Sequence, residues 1–175
     1  MKSTIFFINA FVISFSLSYT VVRADFNAKV QRVVDGDTIY VVDNFGQKFK
    51  VRLTGIDAPE QNQPYGLAST YHLRELLLNK SVLLKSKSMN GKPYSVDRYK
   101  RVLAKVILDG KDVNLSQVLS GYAWHFKRYQ KQQSSLDRKS YSEAELNAKK
   151  NELGLWGEKK PIAPWKWRKI KNNFY

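Results

Sequence analysis

Two short acidic segments are the first parts of this sequence that could carry chemistry. Asp35-Gly36-Asp37-Thr38 joins two predicted strands, and Asp57-Ala58-Pro59-Glu60 follows a third. Hard divalent cations take several oxygen ligands, and two loops at one end of a small barrel could converge to supply them. The first segment is not an EF-hand, because the later ligand positions and the closing glutamate are missing. A lone Asp-Gly-Asp sequence is more often a simple turn, so the interpretation depends on its neighbours.

Two arginines accompany these carboxylates. Arg52 lies on the polar face of the third predicted strand, five residues before Asp57, and Arg101 begins a later strand. The guanidinium fork matches the oxygens of a phosphate group and stays charged at any working pH. Each arginine alone would more often be a solvated surface residue or an ion-pair partner. Together with a bound cation, two arginines suit a pentavalent phosphoryl centre that gains negative charge.

The elements that must position these groups are short strands followed by helices. Runs rich in β-branched residues predict five strands: Val30–Val34, Thr38–Asp43, Lys48–Thr54, Val82–Ser86 and Arg101–Leu108. Helical spacing and capping residues predict three helices: Tyr65–Leu78, Asp112–Leu119 and Ser142–Leu153. Ser134-Ser135 can cap a further region before the third helix. This order predicts an α+β fold that is mainly β, a five-stranded OB-fold barrel with about three helices.

Three longer motifs contain these acidic residues and arginines. The occurrence of all three in one order and at one spacing is more specific evidence than any single motif. They are Val34-Asp35-Gly36-Asp37-Thr38, Val51-Arg52-Leu53-Thr54-Gly55-Ile56-Asp57-Ala58-Pro59-Glu60 and Asp97-Arg98-Tyr99-Lys100-Arg101-Val102-Leu103-Ala104. With them the sequence closely resembles the staphylococcal nuclease (thermonuclease) family, over about Val30 to Trp156. The resemblance implies an OB-fold barrel and Ca²⁺-dependent hydrolysis of DNA and RNA that leaves 3′-phosphate ends. We expect endonucleolytic cleavage, but at this point endo versus exo character and the preference for DNA or RNA stay open.

The resemblance also implies a role for each residue of the acidic segments. Asp37 and Asp57 would provide the carboxylate ligands of the Ca²⁺ ion, and Ala58 would provide its backbone carbonyl. Glu60 would be the candidate general base that holds the attacking water in line with the phosphorus. Whether Glu60 takes the proton or only positions the water stays open at this point.

Four further residues would contact phosphate groups. Arg52 and Arg101 would bind the scissile phosphate and its developing charge, with Arg101 also near the leaving 5′ oxygen. Tyr99 matches a tyrosine that contacts a terminal phosphate in the family. Lys100 stands where relatives usually have glycine. If that position has a positive φ, lysine costs about 1–2 kcal/mol there; alternatively, it adds a cation beside the phosphate.

The N-terminal segment, residues 1–24, has the layout of a secretory signal peptide. We therefore expect cleavage between Ala24 and Asp25 and an exported protein, either secreted or periplasmic. A retained membrane anchor is the alternative, and it would be the only membrane contact; polar residues such as Asn9 and Ser14 argue against it. The absence of cysteine is compatible with export, since disulfides are permitted outside the cytoplasm but not required.

The charge of the chain indicates a polyanionic partner. Of 30 Lys and Arg residues, Lys2 and Arg23 leave with the signal peptide, so 28 remain against 15 acidic residues, a net charge of +13. The electrostatic field of a protein with this net charge attracts nucleic acid, anionic membrane or acidic polysaccharide, and the charge alone does not distinguish among these partners. We assign one domain to residues 25–158 and a basic, tryptophan-rich tail to residues 159–175. Nothing in the sequence demands a protein partner or more than a monomer.

Two other functions fit part of the sequence. A non-catalytic OB-fold protein would bind nucleic acid through cations and aromatic rings, but the carboxylates would repel that ligand unless a metal intervened. A cationic membrane-active protein would explain the tail Pro164-Trp165-Lys166-Trp167-Arg168-Lys169, but not the acidic loops. The carboxylates and arginines together therefore favour the enzyme.

The remaining aromatic and histidine side chains are expected to be structural. Trp124 and Trp156 are large enough to cover the barrel or to pack the helices that follow it. His72 and His125 have no partner pattern in the sequence, so neither receives a catalytic role.

Overall fold

The computed structural model describes residues 23–88 and 94–172, so most of the expected signal peptide lies outside it. The described residues form eight strands: β1 Arg23–Asp35, β2 Thr38–Asp43, β3 Lys48–Leu53, β4 Ile56–Asp57, β5 Ser81–Lys87, β6 Val102–Leu108, β7 Lys111–Asp112 and β8 Trp124–His125. They also form four α-helices: α1 Gly66–Leu77, α2 Val113–Leu119, α3 Ser135–Lys150 and α4 Pro164–Asn172. Short 3₁₀ segments cover Lys127–Gln132 and Gly154–Gly157. In this part of the chain, no helix is both long enough and apolar enough to cross a membrane.

Five of the strands close into a barrel. They are hydrogen-bonded in the order β3-β2-β1-β5-β6, and β6 pairs in parallel with β3 to close the sheet. Alternate side chains of each strand point inward, as the two-residue period of a strand requires. In β3 these are Phe49, Val51 and Leu53, which are buried, so Arg52 points outward. The predicted five-stranded OB-fold barrel is confirmed.

The first strand is longer than the predicted Val30–Val34, because its two halves pair with different neighbours. Residues 28–35 pair with β2, and residues 23–29 pair with β5. Register shifts between Val30 and Arg32 and between Val33 and Asp35 mark bulges, which bend a strand and increase its twist. The C-terminal end of β1 thereby brings Asp35 to one end of the barrel.

The helices follow the prediction with one correction. α1 and α2 lie where the sequence predicts them, and the Asp112 side chain caps α2 by accepting a hydrogen bond from the Leu115 backbone N–H at 3.0 Å. α3 begins at Ser135, not at Ser142, and Ser134 caps it. The early turns are mostly polar and Tyr141 is their first buried residue, so the apolar spacing that marks a helix is absent there.

The C-terminal tail contains α4, a helix that the sequence analysis did not predict. Trp165 packs edge-on against Trp124 with ring centroids 5.5 Å apart, and Trp124 packs against Trp156 at 4.3 Å. Phe126 lies 5.5 Å from Trp165. These four rings, the aromatic cluster, hold α4 beside the barrel. They also confirm the packing role expected for Trp124 and Trp156.

His125 is a core residue. Its Nε2 lies 2.9 Å from the Gln133 amide oxygen, and its Nδ1 lies 3.2 Å from the Ser142 hydroxyl. Burial lowers its pKa, so the neutral ring is favoured. These contacts give His125 a structural role, in line with the sequence analysis.

Candidate active site

The turn between β1 and β2 fixes Asp37. The Asp35 carboxylate accepts a hydrogen bond from the Asp37 backbone N–H at 3.0 Å, which closes an Asx turn. Gly36 is required in this turn, since a Cβ there would lie 1.8 Å from the Ser69 hydroxyl oxygen on α1. Asp37 itself is only 6% exposed. The Asp-Gly-Asp sequence is thus a turn, and this turn also directs a buried carboxylate to the end of the barrel.

Asp57 reaches the same place from β4. This short strand pairs with β8, where Asp57 lies opposite Trp124. The Ala58 backbone N–H donates a hydrogen bond to Asp37 Oδ2 at 2.8 Å, which ties the two acidic segments together. Both Asp57 and Ala58 are buried. The structure therefore brings together the two loops that were expected to converge.

Arg52 lies between the two carboxylates. Its Nη2 is 3.0 Å from Asp37 Oδ2 and 3.0 Å from Asp57 Oδ1. Its Nη1 donates a hydrogen bond to the Leu53 carbonyl at 2.5 Å. The Arg52 side chain is 12% exposed, and these charge-assisted bonds fix its guanidinium in one orientation.

Negative charge is crowded at this end of the barrel. Burial and the charge of Asp37 raise the pKa of Asp35 to about 7. The same two causes raise the pKa of Asp57, although its bonds to Arg168 and Arg52 oppose the rise. Both carboxylates would be stabilised in their charged form by a further cation.

The raised pKa of Asp35 makes the stability of the metal-free protein depend on pH. The unfolded carboxyl has a pKa of about 3.9, so between about pH 4 and pH 7 the folded state binds the extra proton and its stability falls as the pH rises. We expect Asp35→Asn, which keeps an acceptor for the Asp37 N–H, to raise the free energy of unfolding more at pH 8 than at pH 5. Urea unfolding in chelator measures this. Glu143→Gln on the exposed face of α3 is the control, and an equal effect of Asp35→Asn at both pH values would contradict the prediction.

Glu60 lies on the loop between β4 and α1. Its backbone N–H donates to the Gln63 side-chain oxygen at 3.2 Å, and its carbonyl accepts from the Gln63 N–H at 2.8 Å. Gly66 allows the loop to approach α1 closely, because a Cβ there would lie 1.8 Å from the Glu60 carbonyl oxygen. The Glu60 side chain is 39% exposed, so its carboxylate is accessible to water.

Arg101 immediately precedes β6, the strand that pairs in parallel with β3. In the parallel pairing of β3 with β6, Arg52 is opposite Leu103, and Arg101 precedes Leu103 by two residues and shares its face. Asp97 holds the Arg101 guanidinium, with Nε and Nη2 at 2.8 and 2.7 Å from Asp97 Oδ2. Burial favours the neutral acid, but the hydrogen bonds from Arg101 lower the pKa of Asp97. The polar contacts of the Arg101 side chain are therefore with Asp97 and not with Asp37 or Asp57.

Tyr99 and Lys100 lie in the turn that leads to β6. Tyr99 is exposed, and its ring centroid is 5.4 Å from the guanidinium carbon of Arg101. Lys100 is also exposed and has a φ of 60°, the left-handed conformation that glycine adopts at little cost. Lys100 therefore has the positive φ at which a lysine costs stability relative to glycine.

Replacing Lys100 by glycine is expected to raise the free energy of unfolding by about 1 kcal/mol. Relief of the left-handed strain is worth about 1–2 kcal/mol, and the extra freedom of glycine in the unfolded chain offsets part of it. Urea unfolding checks the result. Lys100→Ala removes the same charge but keeps a Cβ, so it should not stabilise the protein; equal effects of the two variants would show that charge, not φ, is responsible.

The structure adds one residue that the sequence analysis did not assign to the site. Arg168 of α4 places Nη2 2.7 Å from Asp57 Oδ2 and Nη1 2.6 Å from Glu60 Oε1. Its only signal in the sequence was the alternation of tryptophan and basic residues in the tail. Because the resemblance ends near Trp156, it gave no reason to place residue 168 at the carboxylates.

The donor set suits a hard cation but is small. Asp37 Oδ2 and Asp57 Oδ1 each lie 3.0 Å from Arg52 Nη2, which sits between them, so at most about 6 Å separates the two oxygens, a range that includes the roughly 5 Å spanned by two ligands of one Ca²⁺ ion. Over residues 23–88 and 94–172, no three His, Cys, Asp or Glu side chains form a group that could hold a metal by themselves. A cation here would therefore also need main-chain, water or phosphate oxygens.

The fold and the site define an OB-fold barrel with buried carboxylates and phosphate-matching arginines at one end. The model of a family described as "Staphylococcal nuclease homologue" matches residues 50–158. That range contains Arg52, Asp57, Glu60 and Arg101 and ends before α4. The chain belongs to the staphylococcal nuclease family.

Similar proteins occur in several bacteria. An Escherichia coli protein named "Uncharacterized endonuclease" is 34% identical over 158 residues, which cover 90% of this chain and 94% of that protein. A Haemophilus influenzae protein of the same name is 37% identical over 141 residues, 81% of this chain and 72% of its own. A Shigella flexneri protein named "Micrococcal nuclease" is 35% identical over 159 residues, with 86% of this chain and 84% of its own covered.

Proposed function

We propose that this protein is a Ca²⁺-dependent endonuclease that hydrolyses phosphodiester bonds of DNA and RNA and leaves 3′-phosphate ends. The relatives named endonuclease and micrococcal nuclease support the class of activity. The observation that carries the proposal is the position of the Arg52 guanidinium between two buried carboxylates. Its Nη2 lies 3.0 Å from one oxygen of Asp37 and 3.0 Å from one oxygen of Asp57. Carboxylates beside a phosphate-binding guanidinium would weaken simple binding of a polyanion, whereas they are useful if a cation joins them to the phosphate.

The acidic segments would handle the cation and the attacking water. Asp37, Asp57 and the backbone carbonyl of Ala58 would hold the Ca²⁺ ion, which when bound polarises the phosphoryl oxygens and orients a water molecule. Glu60 accepts a proton from the attacking water as the oxygen of that water bonds to phosphorus. The exposure of the Glu60 side chain supports this role, because the water must reach its carboxylate.

The basic residues would handle the phosphate. Arg52 and Arg101 bind its non-bridging oxygens and stabilise the charge that builds up as the bond to the 5′ oxygen breaks. The 5′ oxygen leaves as a hydroxyl after taking up a proton, and the phosphate stays on the 3′ side. Tyr99 and Lys100, which are exposed beside Arg101, contact phosphates of the substrate strand.

Cleavage assays with single-stranded DNA, duplex DNA and RNA test the proposal. All three should be cut in millimolar Ca²⁺ and none in chelator, and circular single-stranded DNA should be linearised, since an endonuclease needs no free end. Phosphatase treatment should remove phosphate from the 3′ ends of the products. Asp37→Asn should raise the Ca²⁺ concentration required, while Glu143→Gln should not. Tight binding without cleavage in any divalent cation would instead indicate a non-catalytic nucleic-acid-binding barrel.

We also propose that the protein is exported, secreted or periplasmic, after cleavage between Ala24 and Asp25. Such cleavage would remove only the first two residue pairs between β1 and β5 and would keep the pairing from Asp25 onward. N-terminal sequencing of the protein recovered outside the cytoplasm tests this, and an N-terminus that retains residues 1–24 would contradict it. We expect a monomer on size-exclusion chromatography.

A further inference from the structure

The tail docks directly on the loop that carries Glu60. The Gln63 side-chain N–H donates to the Ile162 carbonyl at 2.5 Å, just before α4, and the Trp167 indole N–H donates to the Asn62 side-chain oxygen at 3.3 Å. The aromatic cluster holds α4 from its other side through Trp165. These contacts give the backbone of α4 a defined place next to residues 58–63.

From this place Arg168 binds two carboxylates at once. Its Nη2 and Nη1 lie 2.7 and 3.3 Å from Asp57 Oδ2 and Oδ1, which is a bidentate pair. The same Nη1 lies 2.6 Å from Glu60 Oε1. The Arg168 side chain is 44% exposed and the Glu60 side chain 39%, whereas that of Asp57 is almost fully buried. Arg168 thus links an exposed carboxylate on a loop to a fixed carboxylate on a strand.

We infer that Arg168 is a positioning residue of the active site, which holds the Glu60 carboxylate in its working orientation by anchoring it to Asp57. This inference deepens the proposed function and rests on it. A glutamate side chain on a loop has several rotamers open to it, and selecting one of them before the substrate binds lowers the entropic cost of reaching the reactive geometry. The C-terminal tail is in this way a part of the active site, outside the range that the family model matches.

The geometry of the contact explains why an arginine is used. One guanidinium fork must reach both oxygens of Asp57 and one oxygen of Glu60, and its planar set of N–H donors can do so in a fixed arrangement. A lysine ammonium is a point charge on a flexible stem and cannot keep two carboxylates in a fixed relation. Arg168→Lys should therefore behave more like Arg168→Ala than like the unmodified protein.

Steady-state cleavage by the purified protein at saturating Ca²⁺ tests this role. Arg168→Ala should lower kcat between about 10- and 100-fold, with a smaller change in KM, and Arg168→Lys should recover little of the loss. Arg74→Ala on the exposed side of α1 removes the same side chain elsewhere and should change neither constant. In a Glu60→Ala background, Arg168→Ala should lower kcat by less than about twofold, because no side-chain carboxylate then remains at residue 60 for Arg168 to hold. Independent, multiplied losses would overturn the inference.

Hydrogen exchange in chelator provides a readout without metal or substrate. Backbone amides of residues 58–63 should exchange faster in Arg168→Ala and Arg168→Lys than in the unmodified protein, and Arg74→Ala should leave them unchanged. Unchanged exchange together with unchanged kcat would overturn the inference. A second result would also overturn it: Arg168→Ala binds Ca²⁺ more tightly in calorimetry and keeps its kcat. Arg168 would then be a competitor of the cation and not a positioning residue. Failure of the unmodified protein to cleave any nucleic acid would refute the proposed function, while the exchange rates would still decide whether Arg168 holds this loop.

Discussion

Arg52→Lys is expected to lower kcat for nucleic-acid cleavage by about 10²- to 10³-fold, the range seen when one donor that stabilises transition-state charge is removed. Arg52 is held between Asp37 and Asp57 by two 3.0 Å contacts, which leave its planar fork in a fixed orientation. Lysine keeps the charge but presents no fork, so it cannot hold two phosphate oxygens in the same plane. The loss should therefore fall mainly on kcat and less on KM.

Lysine is a better test at this position than alanine. The Arg52 side chain is 12% exposed, and its removal would leave two buried carboxylates without their shared cation. Breaking a buried ion pair in this way costs about 3–5 kcal/mol, so lost activity in Arg52→Ala could reflect lost folding. Thermal unfolding of Arg52→Lys shows whether the fold is kept, and Arg74→Lys on α1 is the matched control. An unchanged kcat with only a raised KM would show that Arg52 binds the ground state and does not act in the transition state.

The barrel and the placement of Arg52 could be predicted from the sequence because both follow from the two-residue period of a strand. Phe49, Val51 and Leu53 alternate with basic residues in the sequence, and the structure buries all three. The turn of Asp35 to Asp37 was also predictable, since aspartate and glycine favour turns whether or not they bind a ligand. What the sequence could not give is the distance between the two acidic segments, which depends on closure of the barrel.

The part of the site that the sequence analysis missed is held by tertiary contacts alone. α4 is short and basic, and isolated helices of this length are marginal in water. Its position comes from rings and amides far away in the chain, such as Trp124 and Asn62. No local pattern around Arg168 indicates that its guanidinium will meet Asp57 and Glu60. The start of α3 was predicted too late for a related reason. Its first turns are stabilised by the Ser134 cap and have no buried apolar face whose spacing would mark a helix.

Glu60→Gln is expected to lower kcat by about 10²- to 10⁴-fold, the usual contribution of a positioned general base. The substitution is close to isosteric, and the amide oxygen can still accept the hydrogen bond that Arg168 now donates to Glu60 Oε1 at 2.6 Å. The substitution removes the negative charge and the ability to take up a proton but keeps the shape and one acceptor oxygen, so the folded structure should change little; Ca²⁺ affinity is measured by calorimetry. Steady-state kinetics at saturating Ca²⁺ measures the loss, and Glu143→Gln on α3 serves as the matched control.

The size of that loss separates the two roles that the sequence left open for Glu60. A glutamine can still orient a water molecule through its side-chain oxygen, but it cannot accept the proton of that water. If Glu60→Gln keeps kcat within about tenfold of the unmodified protein, Glu60 orients the water and solvent takes the proton. A loss of 10²-fold or more, with Ca²⁺ affinity intact, requires the carboxylate itself to act as the base. In that case, the contact with Arg168 holds the base that removes the proton.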